Sequence, residues 1–374
     1  MAQRVTIFGG GAIGRGLLAD IASRAGYQVV FVEAVENVAD KIRQAGGYKV
    51  HLVGQAREEH SITDYQVLML SQEPQIRNAV CHSSFAAIAV GGIHLPSVVP
   101  ILAPAIKSRK ENLNILVCEN WPHADLLLRN LLIQGGCDRD TFSCIPCSVE
   151  RMAKVADNGL DILAESNQSL YIDSQAWIGE RPPGDEFLFC DNITAYYKRK
   201  LFTNNAGHAL LAYFGPLTGY EYLYQGLEFT SVRNCLVELL ELASRALVQV
   251  YSLDQTAMEQ HLADLLQWRY SNRLLADTVK RAARDPLRKL GPDERLVGLV
   301  RLLQNCNLPT RPVYQVIAAA MHYDDRGDSE CVQMRRMIQQ NGPESVLEGV
   351  CGFEKGEEHY QQCLEIYQQI VIPK

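Results

Sequence analysis

No apolar run in this chain approaches the ~20 uninterrupted residues of a membrane helix, so no membrane partner is expected. Basic residues are not in excess either. Asp and Glu number 43 against 36 Lys and Arg, a formal charge of −7, which argues against a polyanion such as nucleic acid as partner. No charged leader with an apolar signal core precedes the first strand-like run, and the expectation is a cytoplasmic protein. The 11 cysteines lie between Cys81 and Cys363 with no repeated spacing, which fits reduced thiols better than a disulfide framework. Cys144 and Cys147 do have the C-x-x-C spacing. They flank Ile145 and Pro146 in a strand-like run, however, and no second pair completes a zinc site, so they read as core thiols and no metal is expected. Internal repeats and low-complexity tracts are also missing.

What remains is ample material for packed cores. The 374 residues exceed the length at which one core usually keeps growing, and the 47% hydrophobic content can fill two, so two domains are expected.

The first half reads as a nucleotide cradle. Val5-Thr6-Ile7-Phe8 is a short β-branched and aromatic run that leads into Gly9-Gly10-Gly11-Ala12-Ile13-Gly14-Arg15-Gly16 and then into the helix-like Leu17 to Ala22. Gly9, Gly11 and Gly14 match G-x-G-x-x-G, with Ala12 and Ile13 inside the motif. Glycines at these places permit a tight turn, a close backbone approach to pyrophosphate and close packing of helix on strand, with the helix amino end facing the phosphates. The motif alone is weak, but a second strand, Gln28 to Val32, ends at Glu33, nineteen residues past Gly14. A carboxylate there accepts from ribose hydroxyls and repels a 2′-phosphate, which favours NAD over its phosphorylated form.

Further strands are expected at Gln66–Leu70, Phe85–Val90 and Asn114–Cys118, the spacing of a doubly wound sheet. Val90 and the turn Gly91-Gly92 follow at a strand's carboxyl end, where the nicotinamide half of a cofactor can pass close to backbone. Asn120 stands at the next such end; an Asx turn before Pro122 is the plainer alternative. Strand-like runs continue at 141–145, 161–164 and 169–172, followed by a loop at Arg181 to Asp185. The expected division is a Rossmann-type domain with extra strands at 1–190 and an all-α domain at 191–374. In the second, helical periodicity marks 230–251, 255–275, 296–303 and 313–321. A helical domain on a nucleotide domain leaves a cleft for substrate.

Lys200, Asn205 and His208 stand in Lys-Leu-Phe-Thr-Asn-Asn-Ala-Gly-His with K-x4-N-x2-H spacing, a set that can move a proton to or from a substrate hydroxyl. On an α-helix Asn205 sits about 140° and His208 about 80° around from Lys200, so all three look into one wide cleft. A lysine serves as base near neutrality only when burial or a positive neighbour lowers its pKa. Lys198 and Arg199 have the right sign, although facing solvent is the plainer expectation for both. Tyr196 and Lys200 also satisfy the Y-x3-K of short-chain dehydrogenases, but this chain is too long for that family's single domain and lacks T-G-x3-G-x-G. Arg284, Arg288, Lys289 and Arg295 cluster in a segment suited to a phosphate dianion, or to a charged inter-helix loop balanced by Asp285, Asp293 and Glu294. His322, at the end of an apolar run, is more simply structural.

The glycine turn, Cys118-Glu119-Asn120, Lys200 through His208 with Ala209, Pro286 to Leu290 and Ala318 to His322 together resemble the polyol-specific long-chain dehydrogenase/reductase (mannitol dehydrogenase) family, in order over nearly the whole chain. The resemblance implies a metal-independent, NAD-dependent oxidoreductase that interconverts a polyol phosphate and a ketose phosphate of the fructose 6-phosphate kind. It implies Lys200 as general base in oxidation and acid in reduction, Asn120 and Asn205 flanking the reacting oxygen, and His208 orienting the substrate. The phosphate would fall to Arg288, Lys289 and Arg295, and the assembly would be a monomer or small homo-oligomer. Two departures bear on the substrate: Val149-Glu150-Arg151 where close relatives carry Val-Asp-Arg, and Trp121-Pro122-His123 after Asn120. A hexuronate or an unphosphorylated polyol remains open, as does a regulatory NAD(H) binder without catalysis.

Overall fold

The computed structural model describes residues 3–54, 57–121, 123–166, 170–183 and 185–370. Pro122, Ser169 and Gly184, named above, lie outside the described residues. Contacts divide the chain into two units, residues 1–196 and 197–374.

In the first unit the strands are β1 (Arg4–Phe8), β2 (Gln28–Glu33), β3 (Tyr48–Val53), β4 (Glu58–Ile62), β5 (Tyr65–Met69), β6 (Phe85–Ile88), β7 (Leu113–Val117), β8 (Phe142–Val149), β9 (Ala153–Val155), β10 (Ile162–Glu165), β11 (Leu170–Asp173) and β12 (Leu188–Cys190). Eight of them form one sheet in the order β12-β11-β8-β7-β6-β1-β2-β5, parallel from β8 through β5. Its inner strands are apolar on both faces, as burial on both sides demands. Val5, Ile7, Val29 and Phe31 enter one core, whereas Phe8, Val30 and Val32 enter the other. Helices Glu73–Cys81, Leu95–Ser108 and Ala124–Gln134 cover the second of these faces through Ile76, Val80, Leu102, Ile106, Leu128 and Leu132.

The opposite face carries an addition of which the sequence showed only the strand-like run at 161–164. A second sheet, β4-β3-β10-β9, packs there through Tyr48, Val50, Leu52, Ile62, Ile162 and Ala164. Its signal lay in Tyr-Lys-Val-His-Leu-Val, whose alternation matches the buried and open positions of β3. Strand β4, Glu-Glu-His-Ser-Ile, is mostly open to solvent and carries almost no apolar pattern. Cys144 and Cys147 stand three apart on β8 and so face opposite cores, which prevents them from acting as a pair.

The second unit is helical. Its longest helix, Thr230–Tyr251, buries Leu236, Leu239, Leu240, Ala243 and Leu247 on one stripe, and Arg311–His322 and Ala206–Thr218 complete the core. Side-chain caps fix several helix starts: Asp254 accepts from Ala257 N at 2.7 Å and Asp328 from Glu330 N at 2.9 Å. The run expected as one helix over 255–275 is Gln255–Asp264 followed by a π-helical turn, Leu265–Arg269, closed by Tyr270 N on Leu265 O at 2.9 Å. Among the described residues no helix is long and apolar enough to cross a membrane.

Candidate functional site

Strand order reverses at β1, and the crevice outside the carboxyl ends of β1 and β6 is where open sheets of this kind take ligands. The glycine turn lies there. Gly9 has φ +102°, and a Cβ on it would stand 2.3 Å from Ala89 O, just past β6. A Cβ on Gly14 would stand 1.9 Å from Gly9 O, so the turn closes on itself only without side chains. At Gly11 a Cβ would meet nothing within 4 Å. The helix begins at Ala12 and Ile13, so its first amides have no partner within the helix.

Glu33 is tied to this turn more tightly than a ribose ligand needs to be. Its Oε2 accepts from Gly10 N at 2.7 Å, and its Oε1 accepts from Ala34 N at 2.8 Å and Val35 N at 2.9 Å. Two carboxylate oxygens offer about four lone-pair sites, which leaves one for a ligand hydroxyl. At the turn expected to lie close to the nicotinamide, the Val90 and Gly91 amides donate to Glu119 Oε1 at 2.8 and 3.0 Å, so a buried carboxylate fixes that backbone from behind. Burial raises the Glu119 pKa, and these two bonds oppose the rise. Trp121 lies against the same turn: a Cβ on Gly92 would stand 2.7 Å from Trp121 Cβ and Cγ.

After the glycine turn the helix widens to π form over Gly14–Leu18, with Ala19 N donating to Gly14 O. An inserted residue of this kind leaves carbonyls short of amide partners. Side chains supply the donors: Tyr48 Oη donates to Arg15 O at 3.0 Å and Arg151 to Gly16 O at 3.0 Å. Arg151 also donates to buried Asp20 Oδ2 at 2.7 Å, and His60 Nδ1 stands 2.5 Å from Asp20 Oδ1. Arg15 itself turns inward, its Nε donating to Gly10 O at 2.7 Å; burial lowers its pKa, with Tyr48 and Glu33 opposing.

In the second unit the same device reappears where the candidate catalytic residues stand. The helix from Ile193 to Thr218 is continuous, but Lys200–Asn205 is a π segment. This changes the angles expected for an α-helix. A π turn pairs residue i with i+5, which brings Lys200 and Asn205 one turn apart along one edge instead of about 140° around. His208 follows Asn205 at i+3 in α geometry and adjoins it. All three side chains are half-buried.

His208 Nε2 stands 2.8 Å from Asp277 Oδ2, and the guanidinium of Arg281 holds both oxygens of that carboxylate. Burial alone would raise the Asp277 pKa; hydrogen bonds from His208 and Arg281 outweigh it and hold the carboxyl well below its usual range. Burial lowers the His208 pKa and Asp277 opposes it, so the ring is neutral near pH 7, with a proton on Nε2 and a lone pair on Nδ1. Beneath the π segment, Thr203 Oγ1 donates to Arg199 O at 2.6 Å and meets His261 Nε2 at 2.9 Å. Burial, then Arg199 and Arg269, keep His261 well below its ordinary pKa. Arg199 is 6% exposed, which corrects the expectation that it faces solvent; Lys198 lies 5.3 Å from the Phe202 ring centre.

The phosphate candidates separate. Lys289 is buried and donates inward to Ala282 O at 2.6 Å and to Arg284 O, closing the helix Val279–Ala283. Burial, then Arg295 and Arg288, lower its pKa to about 7, so the three cations do lie within one another's field. Arg295 pairs with Glu294 at 3.0 Å, and Arg288 reaches Glu294 and Asp285 at 3.4 Å. His322 stacks on Tyr367 with ring centres 4.0 Å apart and contacts Tyr367 O through Nε2 at 2.9 Å, a structural role. In the first unit Asn120 is exposed just past β7, and Tyr196 stacks on Tyr171 at 4.0 Å. Sequence reading singled out neither Asp277 nor Tyr270, because no spacing links either to residues 200–208.

A family model described as the mannitol dehydrogenase Rossmann domain matches residues 3–181, and one described as the mannitol dehydrogenase C-terminal domain matches residues 192–371. The mannitol-1-phosphate 5-dehydrogenase of Bacillus licheniformis is 30% identical over 93% of this chain and 95% of its own length. That of Bacillus pumilus is 28% identical over 96% of this chain and 98% of its own. Among solved structures, Pseudomonas fluorescens mannitol 2-dehydrogenase in a ternary complex with NAD and D-mannitol is similar in fold, with TM-score 0.76 and 16% identity, covering 99% of this chain and 92% of that one.

Proposed function

Because the chain belongs to the mannitol dehydrogenase family, matched in both of its domains, we propose that it is a cytoplasmic NAD-dependent oxidoreductase interconverting a polyol phosphate and a ketose phosphate. The relatives named mannitol-1-phosphate 5-dehydrogenase, similar over nearly their whole length, make mannitol 1-phosphate and fructose 6-phosphate the leading pair. What supports the reading most is the π segment Lys200–Asn205, whose i to i+5 pairing favours one helix edge for the amine and the amide, with the carboxylate-held imidazole of His208 following at i+3.

The residues of the first unit fit a dinucleotide. The open direction at Gly11 admits a pyrophosphate against the first helical amides, and the remaining lone pair of Glu33 suits a ribose hydroxyl while its charge disfavours a 2′-phosphate. NAD, when bound, supplies the acceptor or donor of hydride. The protein's own part is proton transfer and charge stabilisation. Lys200 takes the proton of the substrate hydroxyl during oxidation and returns it during reduction. Asn205 directs its amide N–H to the oxygen where negative charge develops, a donor that does not itself titrate, and Asn120 is proposed as a second. His208, with Nε2–H committed to Asp277, offers Nδ1 to a neighbouring substrate hydroxyl and thereby orients the sugar chain. Arg288 and Arg295, with Lys289 behind them, are proposed to hold the phosphate.

The test is NADH oxidation with fructose 6-phosphate, a hexuronate and free fructose, by the wild type and by Lys200→Ala. The expected result is turnover with the ketose phosphate, lost by several orders of magnitude in the variant while NADH affinity is retained. Preference for the hexuronate or the free ketose would reassign the substrate, turnover with none would leave an NAD(H)-binding regulator, and an active Lys200→Ala would remove Lys200 from its role.

A further inference from the structure

We infer that Tyr270 is a positioning residue for catalysis: its hydroxyl holds the π segment that aligns Lys200 with Asn205. The inference rests on the catalytic reading of those two residues. Tyr270 Oη lies 3.0 Å from Thr203 O, which also accepts from Ala206 N, and 3.1 Å from Asn204 O, so the hydroxyl proton adds a donor to two adjacent carbonyls inside the π segment. The geometry has a physical cause. A single residue added to a helix shifts i→i+4 pairing to i→i+5, and where α pairing resumes a carbonyl is left short of an amide. A buried carbonyl without a donor is costly, and without one the chain relaxes toward ordinary α pairing. That relaxation would return Lys200 and Asn205 to about 140° apart. The donor at this point therefore selects the conformation in which both can address one oxygen.

Two further observations indicate a site built around this hydroxyl. Gly207 lies inside the K-x4-N-x2-H stretch, and a Cβ on it would stand 2.3 Å from Tyr270 Oη and 2.8 Å from Tyr270 Cζ. Only glycine there lets the hydroxyl reach the segment. Tyr270 is itself set by a π turn, Leu265–Arg269, whose helix also delivers His261 to Thr203 Oγ1 at 2.9 Å. One helix thus fastens the π segment at a side chain and at two carbonyls. Tyr270 is 2% exposed and does not serve as a surface group. The helix after the glycine turn uses the same solution, with Tyr48 Oη on Arg15 O, so two of the π turns carry a buried tyrosine hydroxyl on a carbonyl.

The experiment compares wild type, Tyr270→Phe, Gly207→Ala and Lys200→Ala in the reduction of fructose 6-phosphate with NADH. Tyr270→Phe keeps the ring and removes the donor. We expect kcat to fall about 10- to 100-fold from misplacement of the reacting groups, with NADH affinity unchanged. We also expect the primary deuterium isotope effect on kcat to rise and the pH profile to be displaced, two quantities that a mere loss of folded enzyme leaves untouched. Gly207→Ala, which displaces the hydroxyl from the other side, should give the same signature, and the double variant should be far from additive. Should Tyr270→Phe fold poorly, Gly207→Ala decides. Normal kcat and isotope effect in a folded Tyr270→Phe, with Lys200→Ala inactive, would overturn the positioning role alone; an active Lys200→Ala would instead overturn the catalytic reading beneath it.

Discussion

At the scale of single residues, Asp277 illustrates how a group remote in sequence sets the chemistry of one legible in it. The carboxylate raises the His208 pKa against the burial that lowers it, and it fixes which ring nitrogen carries the proton. In Asp277→Asn the raising influence is gone, so the folded pKa of His208 falls further and the ring protonates only at more acidic pH. The amide can also present an N–H to Nε2, which reverses the tautomer and removes the lone pair from Nδ1. The limb of the kcat/KM profile that reports His208 should therefore move to lower pH, and kcat/KM at neutrality should fall by about 10- to 100-fold. A pH titration of kcat/KM checks the sign; a limb displaced to higher pH would contradict the pairing. Lys200, Asn205 and His208 stood out through their spacing taken together with the nucleotide motif and the family resemblance. Asp277, Glu119 and Tyr270 did not, because each acts through a contact between segments far apart in the chain, and no periodicity records such a contact.

At the scale of elements, the small sheet and the first helix meet at a glycine that the nucleotide motif does not require. A Cβ on Gly16 would stand 2.4 Å from Ile162 Cγ2 on β10 and 3.3 Å from Ala153 Cβ on β9. Gly16→Ala should overpack this seam and destabilise the protein by about 1–3 kcal/mol, read as a shift in the urea midpoint. In an Ile162→Ala background the same change should cost less, and an equal cost in both would place the strain elsewhere. The parallel strands of the large sheet were legible because their residues are apolar on both faces and end in glycine or polar turns, whereas the short, half-buried edge strand β12 was not. The hairpin β3–β4 was harder to read, since one of its strands is mostly open and charged. Helix positions were legible to within a few residues, as at Thr230–Tyr251, but the three π segments were not. Two of them carry a side-chain donor from outside the helix on a carbonyl, Tyr48 and Arg151 on the first and Tyr270 on the second, and the helical segment's own sequence is silent about such a donor. The angles read for Lys200 and Asn205 were therefore those of an α-helix, and the structure replaces them.

For the whole molecule, charge is the property that must be reconciled with an anionic substrate. The chain carries −7 formally, so its mean field repels a sugar phosphate, and any attraction has to be local. The segment Arg284 to Arg295 is proposed to supply that locality: Arg295 and Arg288 lie close enough to depress Lys289, whose pKa of about 7 is set first by burial. A phosphate dianion beside them favours the charged ammonium and raises that pKa. Above pH 7, binding of the phosphate should then take up protons, whereas a free ketose should not. Calorimetry at pH 8 in two buffers of different ionisation enthalpy measures the uptake. Ionic strength separates the two substrates further. Charge attraction at an accessible site weakens as the Debye length falls from about 30 Å at 0.01 M to about 8 Å at 0.15 M. We expect kcat/KM for the ketose phosphate to drop over that range while the value for an unphosphorylated ketose stays nearly flat. Arg295→Met should lower the low-salt value and flatten its salt dependence. If both substrates respond alike to salt, and the variant follows wild type, the basic segment is a solvated inter-helix loop and the phosphate is held elsewhere.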